Sequence, residues 1–159
     1  MVRVLFVCLG NICRSPMAEG LFLHYIKEAG LQDKVRVDSA GTGGWHVGER
    51  PDARMQATAK RHNIHLPSRA RKTRVEDFVE YDYILAMDES NLDDLKRLAD
   101  NNANAKAQLF KMRYFDNEAP DTDVPDPYWE GDQGFEYVYQ MLDRSTQNLL
   151  AHIRAEKDI

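Results

Sequence analysis

Cys8 is followed by five residues and then by Arg14 and Ser15, in the run Cys8-Leu9-Gly10-Asn11-Ile12-Cys13-Arg14-Ser15-Pro16. A thiol, a planar cation and a hydroxyl this close in sequence suit attack on an anionic centre. The thiolate is the nucleophile. Arg14 can grip two non-bridging phosphate oxygens with its fork and follow them through a transition state, which the point charge of a lysine cannot match. Ser15 can donate its hydroxyl to the sulfur. A lone cysteine is more often an inert buried residue, so the weight rests on the spacing and on what surrounds it.

Those surroundings are readable. Val2 to Val7 reads as a strand that carries the continuous apolar run Val4 to Val7, the pattern of a parallel strand covered on both faces, and Pro16 stands where a first helical turn tolerates it. A tight loop between a strand and a helix N-terminus turns several backbone N–H groups toward one point and adds the positive end of the helix dipole. That is an anion cradle, and phosphate is its natural occupant. A nucleotide-binding loop would need G-x-x-x-x-G-K-[ST], yet no lysine occurs before Lys27. Here the same groups that hold phosphate also favour Cys8 as a thiolate. Cys13 has two readings, an oxidation partner that shields Cys8 in a reversible disulfide or a residue that simply packs.

Further along, the helix that Pro16 opens ends near Ala29 and Gly30, Val35 to Ser39 reads as a second strand, and a glycine-rich loop runs to Pro51, which opens another helix. Tyr81 to Met87 reads as a third strand, with Asp88, Glu89 and Ser90 capping the next helix, and Ala107 to Lys111 as a weaker fourth strand. From about Gly134 the spacing of Phe135, Val138, Met141, Leu142, Ser145, Leu149 and Ile153 marks the buried face of a terminal helix. The alternation predicts one α/β domain over residues 1–159, a four-stranded parallel sheet with helices on both faces. Ligands of such sheets bind beyond the carboxyl ends of the strands, where Cys8 to Ser15 lies.

Composition removes other classes. The 159 residues are 43% hydrophobic and 30% charged, with a net charge of -5, which disfavours nucleic-acid backbones and anionic membranes. Val4 to Val7 is too short for a secretory or membrane-spanning core, so no membrane insertion and a cytoplasmic location are expected. Two cysteines in one loop are not a disulfide framework, and with scattered histidines they make no metal site.

The run C-L-G-N-I-C-R-S-P-M-A-E resembles the signature loop of the low-molecular-weight protein-tyrosine phosphatases. Further matches are V-D-S-A-G at 37 to 41, Y-D-Y-I-L-A-M-D-E-S-N-L at 81 to 92 and D-P-Y-W at 126 to 129, so the resemblance spans most of the chain. It implies a flavodoxin-like sheet and a cysteinyl-phosphate mechanism without cofactor: Cys8 attacks, Arg14 stabilises, and Asp126 protonates the leaving phenolate and then activates water. Leu9, Gly10, Asn11, Ile12, Cys13 and Ser15 would bind the phosphate, while Asn11 and Ser39 would also support the loop shape. Trp45 and Tyr128 would wall a cleft deep enough for phosphotyrosine, with Trp129 in support. Asp88 either joins the supporting network or merely caps its helix. The implied partners are phosphotyrosine proteins or peptides, with inorganic phosphate as product. An acid like Asp126 is also what the chemistry requires, since a phenolate leaves more easily when protonated.

Rival readings come from different chemistry. Arsenate reductases share the loop but relay electrons through downstream cysteines, and this chain has none after Cys13. Protein-arginine phosphatases typically carry Thr where this loop has Ile12. A non-catalytic phosphotyrosine-binding module would lack the nucleophile or the acid. Two charge runs stand apart from the motif. Asp116, Glu118, Asp121, Asp123, Asp126, Glu130 and Asp132 crowd a segment without Lys or Arg, predicting a negative mouth. Lys60, Arg61, Arg69, Arg71, Lys72 and Arg74 form a basic run that reads first as a solvated face and second as a surface for an acidic partner.

Overall fold

A computed structural model describes residues 1–100 and 102–159. Its centre is a sheet of strands β1 (Val2–Cys8), β2 (Val35–Gly41), β3 (Tyr83–Ala86) and β4 (Gln108–Lys111), all parallel and in the spatial order β2-β1-β3-β4. The strand order reverses beside β1, and that switch point places the end of β1 where an open α/β sheet holds its ligands.

Side chains alternate across a strand, so β1 feeds two cores. Val4 and Phe6 face helices α1 (Arg14–Glu28), α2 (Ala53–Arg61) and α5 (Asp132–Lys157), meeting Phe22, Met55, Phe135 and Leu149. Leu5 and Val7 face the other way, toward Phe78 of α3 (Asp77–Glu80) and Leu92 and Leu95 of α4 (Glu89–Ala99). Both faces of the central strand are dry: Val4, Leu5, Phe6 and Val7 are all 0% exposed. Burying a side chain of this size contributes about 1.5–3 kcal/mol. The base of the candidate loop is therefore anchored in the buried core.

The α/β class, the parallel sheet and the two helical layers are as expected. Boundaries differ in instructive places. The third strand begins at Tyr83 rather than Tyr81, because the Tyr81 N–H closes the last turn of α3 on the Asp77 carbonyl. α3 itself has four residues, too few for a periodic signal, and is held by Asp77, a buried carboxylate that accepts from the Arg74 N–H and from the Arg71 and Arg74 side chains. The terminal helix starts at Asp132, two residues earlier than its apolar spacing indicates. A short 3₁₀ turn, Met112–Phe115, connects β4 to the aspartate-rich loop.

Candidate active site

β1 ends at Cys8 and α1 begins at Arg14, so the chain between them must reverse in five residues. Asn11 allows this by adopting the left-handed region, with φ of 59°, which asparagine tolerates better than most residues. Its side chain then fixes the turn: Nδ2 donates to Ser15 Oγ at 2.8 Å and to Ser39 Oγ at 3.0 Å, while Oδ1 accepts from the Arg71 N–H at 3.0 Å. The end of β2 lies directly behind. A Cβ at Gly41 would stand 2.7 Å from the Leu9 carbonyl oxygen, so only glycine lets the second strand approach the loop this closely.

Cys8 is 3% exposed, at the floor of the loop. The Asn11 N–H donates to its sulfur at 3.3 Å, and Ser15 Oγ lies 3.0 Å away. Asn11 already donates to Ser15 Oγ, so the hydroxyl hydrogen is free for the sulfur or for the Ala40 carbonyl at 3.4 Å, of which the sulfur is nearer. Among the described residues, the N–H groups of Gly10, Ile12, Cys13, Arg14 and Ser15 find no protein acceptor, which leaves a ring of donors at the start of α1.

Arg14 is 3% exposed. Its Nη1 donates to Asp88 Oδ2 at 2.7 Å and to the Val124 carbonyl at 3.0 Å, and its Nη2 faces Asp126 Oδ2 at 3.8 Å. Burial works against its charge, yet the facing Cys8 sulfur and the Asp88 carboxylate outweigh this and hold its pKa above the usual value. Asp88 does both things considered for it, since its Oδ1 also caps α4 by accepting from the Asn91 N–H at 2.7 Å.

Asp126 comes from the loop before α5 and is 44% exposed. Its Oδ1 accepts from the Tyr128 N–H at 3.0 Å, leaving Oδ2 toward Arg14. Cys8, Leu9, Gly10, Ile12, Cys13, Arg14, Asp126, Tyr128 and Trp129 line one cleft of about 300 Å³, together with Trp45 and His46. Asn11, Ser15, Ser39 and Asp88 stand behind its wall as supports. Trp129 is a rim residue rather than an inner support, 89% exposed and edge-on to the Tyr128 ring. Both thiols are free. Burial first, then the charge of Asp52, pushes the Cys13 thiol well above the ordinary range, so it stays protonated at neutral pH. Among the described residues no three His, Cys, Asp or Glu side chains come together as a metal site.

Three contributors were not singled out from sequence. His46 lines the cleft beside Gly10 and pairs with Glu49. Glu19, 5% exposed on α1, accepts from Ser39 Oγ at 2.5 Å, and burial pushes its carboxyl up to about 7 despite that bond. Arg54 on α2 reaches the acid loop, donating to the Tyr128 carbonyl. Glu19 does stand in the motif run, at a helix position that looks like surface.

The sequence profile described as "Low molecular weight phosphotyrosine protein phosphatase" matches residues 3–159. The chain belongs to that family. Like its relatives, this phosphatase is a phosphoric monoester hydrolase of the protein-tyrosine-phosphatase class. It is 44% identical over 153 residues to a low-molecular-weight phosphotyrosine protein phosphatase of Schizosaccharomyces pombe, covering 96% of this chain and 97% of the other. A protein tyrosine phosphatase of Entamoeba histolytica, solved with Hepes in its active site, superposes with a TM-score of 0.92 at 38% identity and 99% coverage of both chains. A Drosophila arginine phosphatase superposes with a TM-score of 0.88 at 36% identity, covering 95% of this phosphatase and 97% of that chain. No described helix of the phosphatase is long and apolar enough to cross a membrane.

Proposed function

We propose that the chain hydrolyses phosphotyrosine in proteins through a cysteinyl-phosphate intermediate, with Cys8, Arg14 and Asp126 as the reacting residues. The Cys8 thiolate attacks phosphorus, forming the S–P bond as the P–O bond to the aryl group breaks. Asp126 gives its proton to the departing phenolate. The resulting carboxylate takes a proton from water, the water oxygen attacks phosphorus, and the S–P bond breaks to release inorganic phosphate and restore the thiolate. Arg14 holds two non-bridging oxygens throughout, oriented by Asp88, while the ring of free N–H groups donates to the phosphate oxygens and stabilises their charge.

One observation carries this reading: Cys8 Sγ, with Ser15 Oγ at 3.0 Å, lies at the base of the same cleft whose mouth holds Asp126, 3.8 Å from the arginine between them. The buried nucleophile and anion clamp thus face the phosphoryl end of an aryl phosphate, and the more open acid faces its leaving oxygen. Trp45 and Tyr128 flank the cleft as aromatic walls, and a floor set below them favours the long phosphotyrosine over phosphoserine. Every group the reaction needs is supplied by one domain spanning the chain. Its two free thiols suit a reducing, cytoplasmic setting.

Arginine dephosphorylation is the second reading, since the Drosophila arginine phosphatase has the same fold. Ile12 favours the aryl ester: it is 9% exposed and presents apolar bulk to the cleft. Steady-state kinetics on matched phosphotyrosine, phosphoserine and phosphoarginine peptides test the choice. A kcat/KM highest for phosphotyrosine is expected, and one highest for phosphoarginine would overturn it.

A further inference from the structure

The acid loop lacks regular secondary structure between the 3₁₀ turn and α5, and its catalytic carboxylate is partly open to solvent. Something must fix the loop against the phosphate-binding loop, because a general acid acts only within hydrogen-bond reach of the leaving oxygen. Its first half is attached at several points: the Val124 N–H donates to the Met87 carbonyl, the Val124 carbonyl accepts from Arg14, the Asp123 carboxylate accepts from the Glu89 N–H and pairs with Lys111, and the Asp123 carbonyl accepts from Arg113. Beyond Asp126, where Pro127 is buried and Tyr128 packs on the core, the one hydrogen bond from outside the loop among the described residues comes from the Arg54 side chain.

Each of the three nitrogens of the Arg54 guanidinium makes a hydrogen bond. Nε and Nη2 clasp the two oxygens of Asp52 at 3.1 and 2.9 Å, and Nη1 donates to the Tyr128 carbonyl at 3.0 Å. Its carbon lies 5.1 Å from the centre of the Tyr128 ring and 4.7 Å from that of Phe135, which is fully buried at the start of α5. Both ends of this clasp lead to the chemistry. At one end, Asp52 caps α2 through the Arg54 N–H, and the Asp52 N–H donates to the Ile12 carbonyl in the phosphate loop at 2.7 Å. At the other, Tyr128 presents its carbonyl to Arg54 and its N–H to Asp126 Oδ1 at 3.0 Å. One residue thus holds the acid with its donor and is itself held by its acceptor.

We propose that Arg54 is a positioning residue for the reaction, a latch that ties the acid loop at Tyr128 to the phosphate loop at Ile12 and so sets where Asp126 meets the leaving oxygen. The inference rests on the reading of Asp126 as the general acid. Lysine at this position cannot fill the role, because an ammonium lacks the planar fork needed to bind both Asp52 oxygens while reaching a carbonyl. Arg54 does not line the cleft, so its removal is expected to act chiefly by displacing the acid rather than by removing a contact with the reacting groups.

The test is kcat for Arg54→Lys and Arg54→Ala across aryl phosphates with leaving groups from poor to activated, each also in an Asp126→Asn background. Arg54→Lys keeps bulk and charge on α2, which guards against a variant that simply fails to fold. The expected result is a loss of about 10- to 100-fold for poor leaving groups and little for activated ones, part of what a general acid supplies, with no further loss in the Asp126→Asn background. A loss from Arg54→Lys that is uniform across leaving groups, or that persists undiminished beside Asp126→Asn, overturns the latch alone, provided Asp126→Asn itself is leaving-group dependent. A uniform loss in Asp126→Asn takes down the acid assignment and the latch with it.

Discussion

Arg14 Nη1 donates to Asp88 Oδ2 at 2.7 Å beneath the surface, so the guanidinium that lines the cleft is aimed by the same aspartate that caps α4. A charge-assisted bond of this length fixes the plane of the fork as well as its position. Arg14→Lys keeps the charge and loses both the plane and the second donor, and kcat is expected to fall by at least about 100-fold, the size of loss seen when a transition-state donor is removed. Asp88→Asn should cost less, about 10-fold, because the amide oxygen can still accept. Steady-state kinetics on a phosphotyrosine peptide check both, and near-normal kcat for Arg14→Lys would remove Arg14 from the transition state.

Glu19 makes the loop's support sensitive to pH. Burial raises its carboxyl from the ordinary 4.5 to about 7, with Asp38 adding and Ser39 and Arg71 opposing. Over that interval the native chain holds a proton that the unfolded chain has released, so this contribution to stability is fully present below pH about 4.5 and is lost as the pH rises through about 7. The loss amounts to about 3 kcal/mol, because each tenfold difference in proton affinity between the native and unfolded chains is worth about 1.36 kcal/mol. Glu19→Gln keeps an acceptor for Ser39 and removes the titration. Urea unfolding from pH about 4 to about 8 should show the wild type losing stability relative to Glu19→Gln as pH rises, whereas parallel curves would mean that Glu19 does not hold its proton in the native state.

Ile12 is the expected selectivity residue. Ile12→Thr replaces apolar bulk in the cleft wall with a hydroxyl, and the ratio of phosphoarginine to phosphotyrosine kcat/KM should rise by about 10-fold or more. Competition assays with the two peptides in one tube measure the ratio directly. An unchanged ratio would place the discrimination elsewhere.

The negative mouth predicted from sequence is weaker in the fold. Asp116 is fully buried between Arg113 and Arg144, Glu118 pairs with Arg144, and Asp123 pairs with Lys111, so much of the run is neutralised by cations from outside it. Asp121, Glu130 and Asp132 form no ion pair among the described residues. A modest preference for Lys or Arg beside phosphotyrosine is expected, at ~0.2–1 kcal/mol for each exposed pair and shrinking with salt. It should appear in kcat/KM for matched peptides at low and high salt. The basic run is likewise divided: Arg61, Arg71 and Arg74 are paired, while Lys72 lies against Gly44 on the loop that carries Trp45. A preference for acidic flanks that fades with salt would assign the mouth to Lys72 instead.

These differences show where sequence reading ends. Cys8, Arg14 and the strand and helix that carry them lie within one local pattern, so the loop and its place on the sheet were legible together. The position of Asp126 at the cleft was legible through its D-P-Y-W run. Glu19 and Arg54 were not, because a charged residue on a helix looks like surface until the partner element is placed. Arg54 meets a carbonyl 74 positions away, and no spacing in the chain encodes that contact. The charge runs misled for the same reason: Asp116 and Arg144 pair across 28 positions and a change of element.

Covalent transfer of the phosphoryl group to Cys8 is tested most directly by rapid quenching with acid during turnover of an aryl phosphate, followed by peptide mass analysis of the trapped protein. Phosphate is expected on the peptide containing Cys8, accumulating further in Asp126→Asn with an activated leaving group. It should be absent from Cys8→Ser, which is expected to fold but to show no turnover. Turnover by Cys8→Ser, or a wild-type enzyme that releases phosphate without ever carrying it on Cys8, would contradict the covalent mechanism.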